Sequence, residues 1–130
     1  MLKIWGDKSP IYLLNCTIVM FGIFKTNKKY EDVDAARFAE LMKEKNSVVI
    51  DVRTPEELND GAVPGHKMIN FFDPSFQQKV AKLDKAKTYL VYCRSGNRSG
   101  NACKAMGDLG FENLYNLNGG ISAWNRFSAA

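Results

Sequence analysis

SVVIDV (Ser47–Val52) and TYLVYC (Thr88–Cys93) are runs of apolar residues with almost no polar alternation. Strands that show water neither face read this way, and they belong to parallel sheets covered by helices. That feature narrows the choice of fold sharply. Parallel neighbours need long crossovers, so helix signals should lie between the runs, and they do. Asp34 is a good N-cap for AARFAELMKEK, where Phe38, Leu41 and Met42 fall on one helical face. Ser99–Leu109 is helical by composition and stops at Gly110. NLYNL (Asn113–Leu117) is a third strong strand, and Gly119-Gly120 turns the chain into a last helix, Ile121–Phe127. The alternation predicts an α/β layered domain with a largely parallel sheet.

Shorter elements fill the gaps. Tyr30–Val33 starts a short strand, and Lys67–Phe71 is another beyond the loop Asp60–His66. Thr54, Pro55 and Glu57 form a capping box with the favoured proline, which opens a short helix. Asp73-Pro74 repeats the cap-and-proline signal for a helix running to Leu83. A chain of 130 residues is expected to be one domain, here residues 30–130. Residues 1–29 are expected to be an extension that packs loosely or not at all.

The extension contains an apolar stretch, Ile11–Phe24, behind Lys3 and Lys8. A membrane-spanning helix needs about 20 such residues. No small-residue cleavage site follows, and Asn15 is a poor neighbour for Cys16 as a lipid-bearing cysteine. No stable membrane insertion is expected. A start at Met20 is an alternative, with residues 1–19 as an upstream extension. The net charge of +4 comes without a dense Lys/Arg run, so no nucleic-acid partner is expected. Cys16, Cys93 and Cys103 are an odd number without paired spacing, and His66 is the one histidine. Such a set offers neither a metal site nor a disulfide framework, and fits free thiols in the cytoplasm.

Cys93 is the residue with chemistry. It ends a predicted parallel strand, at the sheet edge where ligands bind. Arg94-Ser95-Gly96-Asn97-Arg98 follow, and then the Ser99 helix. Gly96 and its small polar neighbours let the backbone curl and turn several N–H groups inward, which makes an anion nest beside a helix N-terminus. The same field favours thiolate over thiol, with Arg94 and Arg98 adding to it. The competing reading is an inert cysteine at a strand end, which needs neither the arginines nor Gly96.

CRSGNRS (Cys93–Ser99) resembles the active-site loop of rhodanese-like sulfurtransferase domains. The resemblance extends through VIDVRTPEEL (Val49–Leu58), GAVPGHKMIN (Gly61–Asn70) and LGFENLYNLNGGISAW (Leu109–Trp124). It implies a five-stranded, mostly parallel sheet flanked by helices on both faces. It also implies transfer of sulfane sulfur from thiosulfate or a similar small anionic donor, through a Cys93 persulfide. The N–H groups of Arg94 through Ser99 would hold that persulfide. The acceptor would be cyanide or a thiol, including one on a protein, with no cofactor or metal. Arg94 and Arg98 would bind the donor's anionic end, Arg98 partly facing back to bolster the loop.

A carrier module that passes persulfide sulfur to a partner is the alternative within that family. Phosphatases and arsenate reductases of similar architecture have five residues between cysteine and arginine. Four separate Cys93 from Arg98, a ring suited to sulfur and tight for phosphate. The family's histidine before Pro-Gly is Ala62 here, and His66 after it does not inherit that histidine's role. Asp51 and Arg53 end a neighbouring strand. Asp51 is placed to accept backbone N–H bonds, and Arg53 to pair with Glu57 or Glu56; both support the site without being catalytic. Cys103 reads as a core residue or as a thiol that resolves the persulfide. Trp124 and Phe127 read as core.

Overall fold

A computed structural model describes residues 28–130, and the expectations for Cys16, Met20 and the rest of residues 1–27 lie outside the described residues. The elements are β1 (Glu31–Val33), α1 (Ala35–Met42), β2 (Ser47–Asp51), a 3-10 helix (Pro55–Asp60), β3 (Lys67–Met68), α2 (Phe76–Ala81), β4 (Thr88–Tyr92), α3 (Asn97–Asp108), β5 (Asn113–Leu117) and α4 (Gly120–Ala129). The five strands form one sheet in the order β1-β5-β4-β2-β3, every pair parallel.

The apolar runs sit where their composition demands. In β4, Tyr89 and Val91 face one core with Cys93, while Leu90 and Tyr92 face the other. Phe76 and Val80 of α2, with Ala102, Cys103 and Met106 of α3, cover the first face. Phe38 and Leu41 of α1, with Ile121 and Trp124 of α4, cover the second. The Phe38 ring meets Trp124 edge-on at 6.2 Å, which packs α1 against α4 on that face. Phe127 is 41% exposed, so it is a surface residue rather than the core residue expected.

Three local readings shift. The Thr54 capping box forms, with Glu57 Oε2 accepting from the Thr54 backbone N–H at 3.1 Å, but the helix it opens is 3-10. Asp73 does not cap α2. Its Oδ1 accepts from the N–H of Ser75 at 2.8 Å, and that turn delays the helix to Phe76. The strand expected to reach Phe71 ends at Met68, although Ile69 and Phe71 still donate to the carbonyls of Asp51 and Val52. Among the described residues no helix is long and apolar enough to cross a membrane.

Candidate active site

The carboxyl ends of β4 and β2 carry the residues singled out from the sequence. β4 ends at Tyr92, so Cys93 is the first residue beyond it. The loop then curls back at Gly96, which takes φ +105°, and α3 begins at Asn97. That begins α3 earlier than the expected Ser99. The curl turns backbone donors onto the sulfur: Cys93 Sγ accepts from the N–H of Gly96 at 3.1 Å and of Ser99 at 3.3 Å. Ser99 Oγ lies 3.3 Å from the same sulfur. The side chain is 1% exposed, so it lies at the floor of this ring.

Two opposed effects act on the thiol. Burial pushes its ionisation up, while hydrogen bonds from Ser99, Gly96 and Ser95 pull it down. The hydrogen bonds prevail and hold Cys93 below the ordinary thiol value. The arginines are secondary here: hydrogen bonds dominate, while the charges of Arg98 and Cys93 still favour each other. Arg98 turns to Glu57, with Nη1 and Nη2 each 2.8 Å from a carboxylate oxygen, a bidentate pair with no net charge. Arg94 is 68% exposed, with Asp60 at 3.8 Å. The Ser95 amide also faces the sulfur, and Asn97 is the first residue of α3.

Arg98 and Glu57 make a clasp between the cysteine loop and the 3-10 helix after β2. Arg98 holds the Glu57 carboxyl down at about 2. A depressed carboxyl adds its stability above the ordinary carboxylate range and loses it as pH falls toward that value. Arg98→Ala and Glu57→Gln should each destabilise the domain by about 1–2 kcal/mol at neutral pH, after discounting for partial exposure. In a urea-denaturation cycle the double variant should cost little more than either single one. Additive losses would mean that the clasp is not the unit proposed.

Asp51 and Arg53 lie at the same sheet edge, but their side chains join the face opposite Cys93. Arg53 pairs with Asp51, not with Glu57 or Glu56 as expected. Its Nε and Nη2 donate to the two Asp51 oxygens at 3.0 and 2.8 Å. Nη1 and Nη2 also donate to the carbonyls of Glu57 at 3.0 Å and Gly61 at 2.8 Å. Asp51 accepts the Arg53 backbone N–H at 2.9 Å, as expected, and the Tyr92 hydroxyl at 2.8 Å. This pair therefore reaches the cysteine loop indirectly, through Glu57 and Tyr92.

Sequence reasoning missed Glu57 as the partner of Arg98, Tyr92 as a polar anchor, and Asn116. Asn116 is 4% exposed in the middle of β5, where a buried strand has no use for an amide. That misplacement was the available signal. Its Nδ2 donates to Gly96 O at 3.0 Å and Asp32 Oδ1 at 2.9 Å, which ties the loop to β1. His66 stays in its own turn, with Nδ1 2.9 Å from Val63 O. Cys103 is fully buried, and burial pushes its thiol up. Among the described residues no cluster of His, Cys, Asp or Glu could hold a metal ion.

Gly120 closes the ring from behind. It takes φ +60°, and a Cβ there would lie 2.3 Å from Arg94 O and 2.6 Å from Cys93 O. The N–H of Ile121 donates to that Cys93 carbonyl at 2.9 Å. Gly120→Ala should lower stability by about 2–4 kcal/mol, from backbone strain plus overpacking. A urea midpoint unchanged by the substitution would contradict this close approach.

Residues 34–127 match the model of the rhodanese-like domain. The chain belongs to the rhodanese-like domain family. It is 42% identical over 76 residues to YtwF of Bacillus subtilis, covering 58% of this chain and 71% of that one. It is 24% identical over 100 residues to the thiosulfate sulfurtransferase GlpE of Shewanella oneidensis, covering 77% of this chain and 97% of that one. The crystal structure of a rhodanese-related protein from Thermoplasma volcanium superposes with a TM-score of 0.65 at 32% identity, covering 75% of this rhodanese-like chain and 93% of the other.

Proposed function

We propose that this chain is a sulfurtransferase in which Cys93 carries the sulfur as a persulfide. The observation that carries the reading is the inward turn of the loop amides onto one buried sulfur, which favours an anion there. Cys93 thiolate attacks the outer sulfur of thiosulfate or a similar donor. A new S–S bond forms, the donor's own S–S bond breaks, and sulfite leaves with the bonding electron pair. The persulfide then occupies the anion nest. Attack on its outer sulfur by cyanide or a thiol expels Cys93 as thiolate and completes the cycle. Arg94, exposed and only loosely paired with Asp60 at 3.8 Å, is the cation better placed to meet an anionic donor, because Arg98 is held bidentately by Glu57.

The spacing of four residues between Cys93 and Arg98 supports sulfur rather than a tetrahedral phosphate as cargo. A protein thiol is an equally competent acceptor, and such a thiolate works in a reducing compartment, the cytoplasm. Incubation with thiosulfate should add one sulfur atom to Cys93 by peptide mass spectrometry, and cyanide should remove it as thiocyanate. Absence of the adduct would sink the reading. An adduct with slow turnover would favour a carrier that delivers sulfur to a protein partner.

A further inference from the structure

Ser99 Oγ lies between two groups that both need a proton from it. Cys93 Sγ is 3.3 Å away, and Asn116 Oδ1 is closer still. A serine hydroxyl has one proton to donate, while an amide oxygen has none. The orientation of Asn116 is fixed independently of Ser99. Its Nδ2 has two protons, and both meet groups that only accept: the Asp32 carboxylate at 2.9 Å and the Gly96 carbonyl at 3.0 Å. Reversing the amide would set its oxygen against those two acceptors in a buried place, at the cost of unsatisfied polar atoms. Oδ1 therefore faces Ser99, and the hydroxyl must donate to it.

We propose that Asn116 is a positioning residue that acts on Cys93 at second hand, by taking the only hydroxyl proton of Ser99 and leaving the sulfur to be held by backbone amides. Ser99 Oγ then presents a lone pair to the sulfur. That pair can accept from a thiol S–H but offers a thiolate nothing. Closeness alone would credit the hydroxyl with stabilising the thiolate; the proton count assigns that work to the amides of Gly96, Ser99 and Ser95 instead. The consequence is chemical. A thiolate held by too many donors is a weaker nucleophile, and attack is fastest when the thiol ionises near ambient pH. Asn116 thereby keeps the Cys93 thiolate from being over-stabilised.

The inference rests on Cys93 being the sulfur-carrying nucleophile for its meaning, but its test does not need sulfur transfer. The readout is the ionisation midpoint of Cys93, from thiolate ultraviolet absorbance and the pH dependence of its alkylation. Ser99→Ala alone should leave the midpoint unchanged or slightly lower. Asn116→Ala frees the hydroxyl to donate to sulfur, and should lower the midpoint by about 0.5–1 pH unit. Adding Ser99→Ala to Asn116→Ala should cancel that fall. If Asn116 merely props up the loop, its loss raises the midpoint through misplaced amides, which overturns the proposal. A rise in the midpoint of Ser99→Ala alone also overturns it, and that variant decides the matter even if Asn116→Ala does not fold. A missing sulfur adduct with these shifts intact would count against the transfer reading alone.

Discussion

Cys93→Ser should abolish sulfur transfer, by about 10⁴-fold or more, while the domain stays folded. The serine oxygen can accept the same Gly96 and Ser99 amides, so the ring has no reason to open. Its stability at neutral pH should lie within about 1 kcal/mol of the parent. A pH-dependent difference should remain. Because folding depresses the Cys93 thiol, the parent gains on Cys93→Ser above the ordinary thiol value. That gain is lost as pH falls through the folded midpoint. Transfer assays and urea titrations at several pH values check both halves, and residual turnover in Cys93→Ser would move the chemistry to another residue.

The largest stability effect should come from Arg53. Both it and Asp51 have side chains with 0% exposure, and Arg53 has four partner oxygens on Asp51, Glu57 and Gly61. Its cation also lies 5.3 Å from the Tyr92 ring centroid. Removing one side of such a pair strands the other charge in the core, so Arg53→Ala should cost about 3–5 kcal/mol. Domains of this size hold about 5–15 kcal/mol in total. The variant should unfold at much lower urea, and it should also lose activity, because Arg53 seats the backbone of the residue that clasps Arg98. A loss under about 1 kcal/mol would mean that water replaces the guanidinium at little cost.

Which parts of this molecule could be read without coordinates follows from where each signal lives. SVVID and TYLVY are dominated by apolar and aromatic residues without polar alternation, so their burial and parallel pairing are written in contiguous residues. The curl at Gly96 is equally local, because it needs only a glycine between small polar residues. Partnerships across the fold are another matter. Arg98 and Glu57 are separated by 41 positions, and nothing near either one selects the other over Glu56 or Asp60. For that reason the sequence alone overstates the arginines' share of the thiol's field, most of which hydrogen bonds supply. Tyr92 and Asn116 were hidden by their strands, where apolar neighbours made each look like filler. The foreshortened β3 and the delayed α2 reflect side chains that bind nearby amides: Asn70 Oδ1 accepts from Phe72 N–H at 2.9 Å, and Asp73 does the same for Ser75.

On the proposed function the amide ring makes Cys93 reactive, and one titration tests this most directly. Thiolate absorbance is followed against pH for the parent and for Cys93→Ser, and the difference isolates Cys93, because Cys16 and Cys103 are common to both. That difference should show a single transition with its midpoint below the ordinary cysteine value of about 8.5. A midpoint at or above that value would mean that burial prevails over the amides, and the account would be wrong.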